Sequence, residues 1–141
     1  LRDVYKRQVL EHIHDIRKTV KNILKHLKPT GYIIISVPNH ESWDGIHYGK
    51  NWAGWDVPRH LYHLNLTAME QFKTEFDLEL KDIKPMKFDS FYVSLLSEGY
   101  QNPGASTLKN YWRAINSGLK SNNSAKTPGH YSSNIFIFQK K

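Results

Sequence analysis

The chain has 141 residues, of which 39% are apolar and 23% charged, with a formal net charge of +7 and no cysteine. That length and composition suit one folded domain rather than two domains or a disordered chain. The missing cysteines exclude disulfides and thiolate metal sites and fit a reducing compartment, so a cytoplasmic protein is expected. No stretch approaches the roughly 18 apolar residues of a membrane span.

Residues 1–8, LRDVYKRQ, follow no helical or strand period. They resemble the translated adapter found at the ends of assembled sequence fragments, so the domain proper is expected to occupy residues 9–141. From Val9 to Leu27 the chain reads as a helix, because Ile16, Val20, Ile23, Leu24 and Leu27 recur at helical spacing. Asp15 is placed to cap it, and Lys25, His26 and Lys28 suit its C-terminal end. Pro29 and Gly31 turn the chain into an apolar run, Tyr32 to Val37. The run does not alternate, which predicts a strand covered on both faces, as in a parallel sheet. Its parallel neighbour should end just before Val9 and is expected to be missing or overwritten by the octet.

Pro38-Asn39 breaks the strand and opens a long loop to His63, rich in Trp, His, Asp and Arg. Thr67 and Glu70 have capping-box spacing ahead of a stripe of Met69, Phe72 and Phe76. Asp77 is a break, and the alternation from Leu78 to Lys81 is a strand that Pro85 ends or confines to a sheet edge. A short helix over Phe91–Tyr100 follows, then a second apolar stripe of Leu108, Tyr111, Trp112, Ile115 and Leu119. Residues 120–130 read as a polar loop, and Asn134–Phe138 as a closing strand. The order predicts an α/β fold, with a late antiparallel strand added to a parallel sheet.

The mouth of the Tyr32–Val37 strand is where such sheets bind ligands. Two groups should meet there: Glu11 and His12, and the loop residues Asn39, Trp52, Trp55, Asp56, Arg59, His60 and His63. Most have a plainer reading beside the functional one. His60 can be a base or a histidine bonded to backbone. Asp56 and Arg59 can contact a substrate or simply pair with each other. Trp52 and Trp55 can wall a pocket or pack. The His12/His14 and His60/His63 pairs have no HExxH pattern and no carboxylate in ligand register, so no metal centre is expected.

The segments VLEHI, LKPTGYIIISVPN and WAGWDVPRHL resemble the second half of a class I S-adenosylmethionine-dependent methyltransferase, of the ubiquinone-biosynthesis O-methyltransferase type. The resemblance is good from Val9 to Glu75 and extends weakly over Lys84–Glu98. It implies a partial Rossmann-like sheet with a closing antiparallel strand, and S-adenosyl-L-methionine as cofactor. It also implies Glu11 and His12 at the cofactor edge, and some members of the group use a divalent ion near that turn. His60 would be the base, while Asn39, Trp52, Trp55, Asp56 and Arg59 would face a small-molecule or lipid-like acceptor, methylated at oxygen. The family's glycine-rich turn and the acidic residue that holds the ribose fall outside this sequence. The chain is therefore expected to be truncated and inactive alone. The rival reading is a non-catalytic module whose Lys109, Tyr111, Trp112, Arg113 and Lys120 hold nucleic acid or an anionic surface. Nucleic acid is the less expected partner, because the charge excess is spread along the chain rather than massed. Nothing in the sequence fixes an oligomeric state.

Overall fold

The strand Tyr32–Pro38 (β2) is central in the computed structural model, which describes residues 4–7 and 9–141. It pairs on one side, in parallel, with β1 (Val4–Arg7), from Val4 opposite Ile33 to Arg7 opposite Ser36. The neighbouring strand expected to be missing is thus formed within the octet. The reading of residues 1–8 as adapter-derived falls partly on residues 1–3 and 8, which lie outside the described residues.

On its other side β2 pairs antiparallel with β4 (Ser133–Lys140), and β4 pairs antiparallel with β3 (Leu78–Pro85). The order is β1-β2-β4-β3, so the last strand is inserted between β2 and β3. This is the expected parallel sheet with an antiparallel addition. β3 lies at the edge, where Pro85 ends it without costing an interior hydrogen bond. A register shift between Leu80 and Asp82 marks a bulge in it.

Helix α1 (Ile16–His26) starts at Asp15, whose carboxylate accepts the Lys18 amide at 2.9 Å. Val20 and Leu27 are buried and Ile16, Ile23 and Leu24 pack beside them, as their spacing predicts. Ile33, Ile35, Val37, Phe136 and Phe138 from the sheet join Met69, Phe72 and Leu78 in the same core. Helix α3 (Leu66–Glu75) is capped not by Thr67 but by Asn65, which accepts the Ala68 amide at 2.8 Å. Asn outranks Thr as a cap, and Glu70 is drawn to Lys73 instead of reaching back.

Two expectations are corrected in the second half of the chain. The loop after β2 contains helix α2 (Trp43–Tyr48) and two short 3-10 turns, Gly49–Asn51 and Ala53–Trp55. The short helix runs longer, as α4 (Asp89–Gln101), and the following helix α5 spans Thr107–Ser124, absorbing half of the expected polar loop. The apolar stripe of α5 is not the face it buries. Ala114, Ser117, Gly118 and Ser121 are inside, while Leu108, Tyr111, Trp112, Ile115 and Leu119 are exposed. Small residues win because they let the α4 and α5 backbones come close. A Cβ at Gly118 would sit 2.5 Å from the Phe91 ring.

Candidate active site

β1 leads through the 3-10 turn Leu10–His12 to Glu11 and His12, next to the end of β2. The chain returns to that point through the Ala53–His63 loop. The Leu61 amide donates to the Glu11 carbonyl at 2.7 Å, and the Tyr62 hydroxyl donates to the His14 carbonyl at 2.9 Å. These bonds bring together residues 50 and 48 positions apart in sequence, as expected from two loops that share the mouth of one sheet.

His60 is the best-held side chain of the group. Its Nδ1 lies 2.9 Å from the Gly54 carbonyl oxygen. A carbonyl only accepts, so Nδ1 carries the hydrogen and Nε2 keeps a lone pair. That Nε2 lies 3.8 Å from Glu11 Oε1 and 3.8 Å from Asp56 Oδ2. His12 is fixed in the same way, with Nδ1 2.9 Å from the Arg59 carbonyl oxygen, so its Nε2 is free as well. The two imidazoles meet edge to face at 4.7 Å. Asp56 has a left-handed backbone (φ 39°) and pairs with Arg59 at 2.8 Å, so the plain reading of that pair, a local ion pair, is satisfied.

Glu11 is only 1% exposed, and neither of its carboxylate oxygens has a hydrogen-bond partner. Burial pushes its pKa up, partly offset by its own backbone amide and by the attraction of His60 and His12. A buried, unpartnered carboxylate is costly to stability and calls for a ligand-based explanation. Ligand atoms of Glu11, His12 and His60 all lie within 4.8 Å of one another, a set that fits a divalent cation or the donor groups of a cofactor. No carboxylate was in register with the histidines in the sequence; folding supplies one.

The cleft in front of these groups has a volume of about 290 Å3. His12, Asp56, Arg59 and His60 form one wall, with Pro38, Ala53 and Gly54 between. The opposite wall is α4, with Asp89, Tyr92, Val93, Leu96 and Tyr100. These residues were missed, although Tyr92, Leu96 and Tyr100 recur at i, i+4 and i+8 and so carried a helical-face signal. A larger cleft of about 420 Å3 lies between α1 and α3, spanned by the Arg17–Glu75 ion pair. Its lining mixes Leu10, Ile16, Met69, Phe72 and Phe76 with His14, Asp15, Arg17 and Glu75, and among the described residues it contains no cluster like that of Glu11, His12 and His60.

Three of the expected acceptor-facing residues stand elsewhere. Asn39 is 4% exposed, donates to the Gly129 and Tyr131 carbonyls, and accepts the Glu41 amide, so its hydrogen bonds are spent on loop structure. Trp52 is 2% exposed and donates to Asp44, in a small core with Tyr48 and Val93. Trp55 donates to the Gly49 carbonyl and packs edge to face on His63 and on Trp52. His63 is thereby drawn to Trp55 rather than to His60, whose ring is 6.5 Å away.

Comparison with known proteins gives the family and the fold. The protein is 29% identical to the ubiquinone biosynthesis O-methyltransferase of Rickettsia akari over 89 residues, covering 58% of this chain and 35% of that one. It is 32% identical to the enzyme of the same name from Rickettsia conorii, covering 58% and 30%. The chain thus spans about a third of the length of these relatives. A SAM-dependent methyltransferase of Thermotoga maritima has the same fold, with a TM-score of 0.60 at 12% identity, over 99% of this chain and 56% of that one. The sequence profile of the family described as "Methyltransferase domain" matches residues 4–82, more than half of the chain, and the protein belongs to that family.

Proposed function

We propose that this chain forms the acceptor side of a site that transfers a methyl group from S-adenosyl-L-methionine to an oxygen of a small-molecule or lipid-like acceptor. Family membership supports the cofactor, and the name of the relatives supports oxygen as the methylated atom. The observation that carries the reading is the tautomer of His60: Nδ1 is tied to Gly54, and Nε2 is free beside two carboxylates at the cleft.

When bound, S-adenosyl-L-methionine supplies a methyl already activated on a sulfonium. The protein has to align the acceptor, exclude water and remove a proton. His60 Nε2 takes the hydroxyl proton of the acceptor, while Glu11 and Asp56 stabilise the imidazolium that results. Tyr92, Leu96 and Tyr100 hold the body of the acceptor, and Arg59 meets an anionic group on it at the rim. Glu11 and His12 face the cofactor edge; a divalent cation held by Glu11, His12 and His60 would occupy His60 Nε2 and polarise the acceptor oxygen in place of the imidazole base.

We read these 141 residues alone as a weak cofactor binder, since they contain no glycine-rich turn to hold the methionine part. Calorimetric titration of the isolated chain tests this, and micromolar affinity would overturn it. We place the protein in the cytoplasm: among the described residues no helix is long and apolar enough to cross a membrane, and there is no cysteine.

His60→Ala tests the mechanism in the chain complemented with a cofactor-binding half. Turnover of a phenolic acceptor should fall about 10²–10⁴-fold, with cofactor affinity nearly unchanged. A collapse of cofactor affinity instead would make His60 a cofactor-facing or structural residue.

A further inference from the structure

Helix α5 exposes a surface that methyl transfer does not use. Leu108 is 70% exposed and Trp112 62%, and Tyr111, Ile115 and Leu119 are exposed with them. Their positions, i, i+3, i+4, i+7 and i+11, make one face along most of the helix. Single exposed apolar residues are ordinary, whereas a stripe of five with two aromatic rings marks an interaction surface.

A second stripe runs beside the first. Lys109, Arg113 and Lys120 fall at i, i+4 and i+11, and α5 contains no Asp or Glu. Two of these cations are oriented by the protein: Lys120 Nζ lies 6.0 Å from the Trp43 ring centroid, and Arg113 lies 3.9 Å from Glu98. An apolar face containing Trp, Tyr and Leu, edged by basic residues, is the pattern of helices that lie in a membrane interface.

We propose that the outer face of α5 docks on an anionic lipid surface. The helix lies along the headgroups, with Leu108, Trp112, Ile115 and Leu119 at the acyl boundary and the cationic stripe against the phosphates. Charge decides among the possible occupants. A second copy would bring two basic stripes together with no acidic residue on either helix to answer them. Nucleic acid would engage the cations and leave five apolar residues without a role. An anionic membrane uses both stripes. The proposal does not depend on the methyl-transfer reading.

The test is co-sedimentation of the full chain with vesicles of phosphatidylcholine alone or mixed with phosphatidylglycerol. Binding to the mixed vesicles should exceed binding to phosphatidylcholine by about tenfold or more, and part of it should survive high salt because apolar side chains insert. Leu108→Glu with Ile115→Glu should reduce binding about tenfold or more, with circular dichroism unchanged because both sites are exposed. Trp112→Gln is the independent variant and should act in the same direction. Lys109→Gln with Lys120→Gln should erase most of the preference for the anionic lipid. Several results would overturn the proposal: no binding to mixed vesicles, binding indifferent to these variants, a concentration-dependent dimer that Leu108→Glu breaks, or tight binding of an RNA or DNA oligonucleotide that the apolar variants leave intact.

Discussion

The Trp52 indole N–H donates to the Asp44 carboxylate at 2.8 Å, and this buried bond fixes where the candidate site's loop sits. Asp44 is fully buried, and its two oxygens also accept from Ser42, Ser121 and Ser132 at 2.6–2.8 Å. One carboxylate therefore joins α2, the start of the Ala53–Trp55 turn, α5 and the entry to β4. Each bond to a buried charge is worth about 1.5–3 kcal/mol, and an amide in place of the carboxylate turns one acceptor into a donor facing donors. Asp44→Asn should lower unfolding stability by about 3 kcal/mol or more in chemical denaturation. A loss below about 1 kcal/mol would mean that the four bonds do not act together.

Glu11 should behave in the opposite sense. Burial raises its pKa above the ordinary 4.5, so the folded protein keeps the proton to higher pH than the unfolded chain does. Between those two values the native state binds more protons, and stability falls as pH rises. Glu11→Gln removes that fall. The variant should match the native protein at acid pH and become the more stable of the two above the carboxylate range, by on the order of 1 kcal/mol, since a buried neutral amide costs less than a buried charge. Thermal unfolding across pH reads the difference; parallel profiles would show that the carboxylate is solvated. A group that destabilises the fold yet stands between two histidines is a common mark of function.

Legibility in the sequence followed the range of the interaction. Asp15, the β2 run and the Met69–Phe72 stripe were visible because neighbours along the chain decide them. The α/β class and the late antiparallel strand followed from their order. The partnership of Glu11 with His60 was expected only as two loops meeting at one strand mouth, and the geometry that frees Nε2 was not visible. Asp44 carried no signal, because Ser121 and Ser132 approach it from 77 and 88 positions away. On α5 the pattern was present, but periodicity shows that a face is apolar, not whether it is buried. There the small residues Ala114, Ser117, Gly118 and Ser121 packed inward, because close helix contact rewards the absence of a side chain.

Two glycines give a paired test of packing. A Cβ at Gly45 would lie 2.4 Å from the His40 carbonyl oxygen, a backbone atom that cannot rotate away. At Gly99, within α4, a Cβ meets nothing within 4 Å. Gly45→Ala should cost about 1–3 kcal/mol, more than the roughly 1 kcal/mol that alanine gains in a helix. Gly99→Ala should stabilise by about 0.5–1 kcal/mol. Denaturation midpoints of the two variants should move in opposite directions, and a shared direction would contradict the close approach of α2 to His40.

The α4 wall separates acceptor binding from chemistry. Tyr92 and Tyr100 line the cleft opposite His60 and remain largely exposed, so replacing them leaves the core intact. If they hold the body of the acceptor equally in the ground and transition states, Tyr92→Ala with Tyr100→Ala should raise KM about tenfold or more while kcat changes little. Arg59 stands on the other wall and is tied to Asp56, so Arg59→Ala should raise KM for an acidic acceptor more than for a neutral one of the same shape. His60→Ala should do the reverse, lowering kcat with little change in KM. Steady-state kinetics of the chain complemented with a cofactor-binding half measures all three. A fall in kcat for the tyrosine pair with KM unchanged would move those rings from holding the acceptor to aligning it, and the cleft would then be tighter in the transition state than it is here.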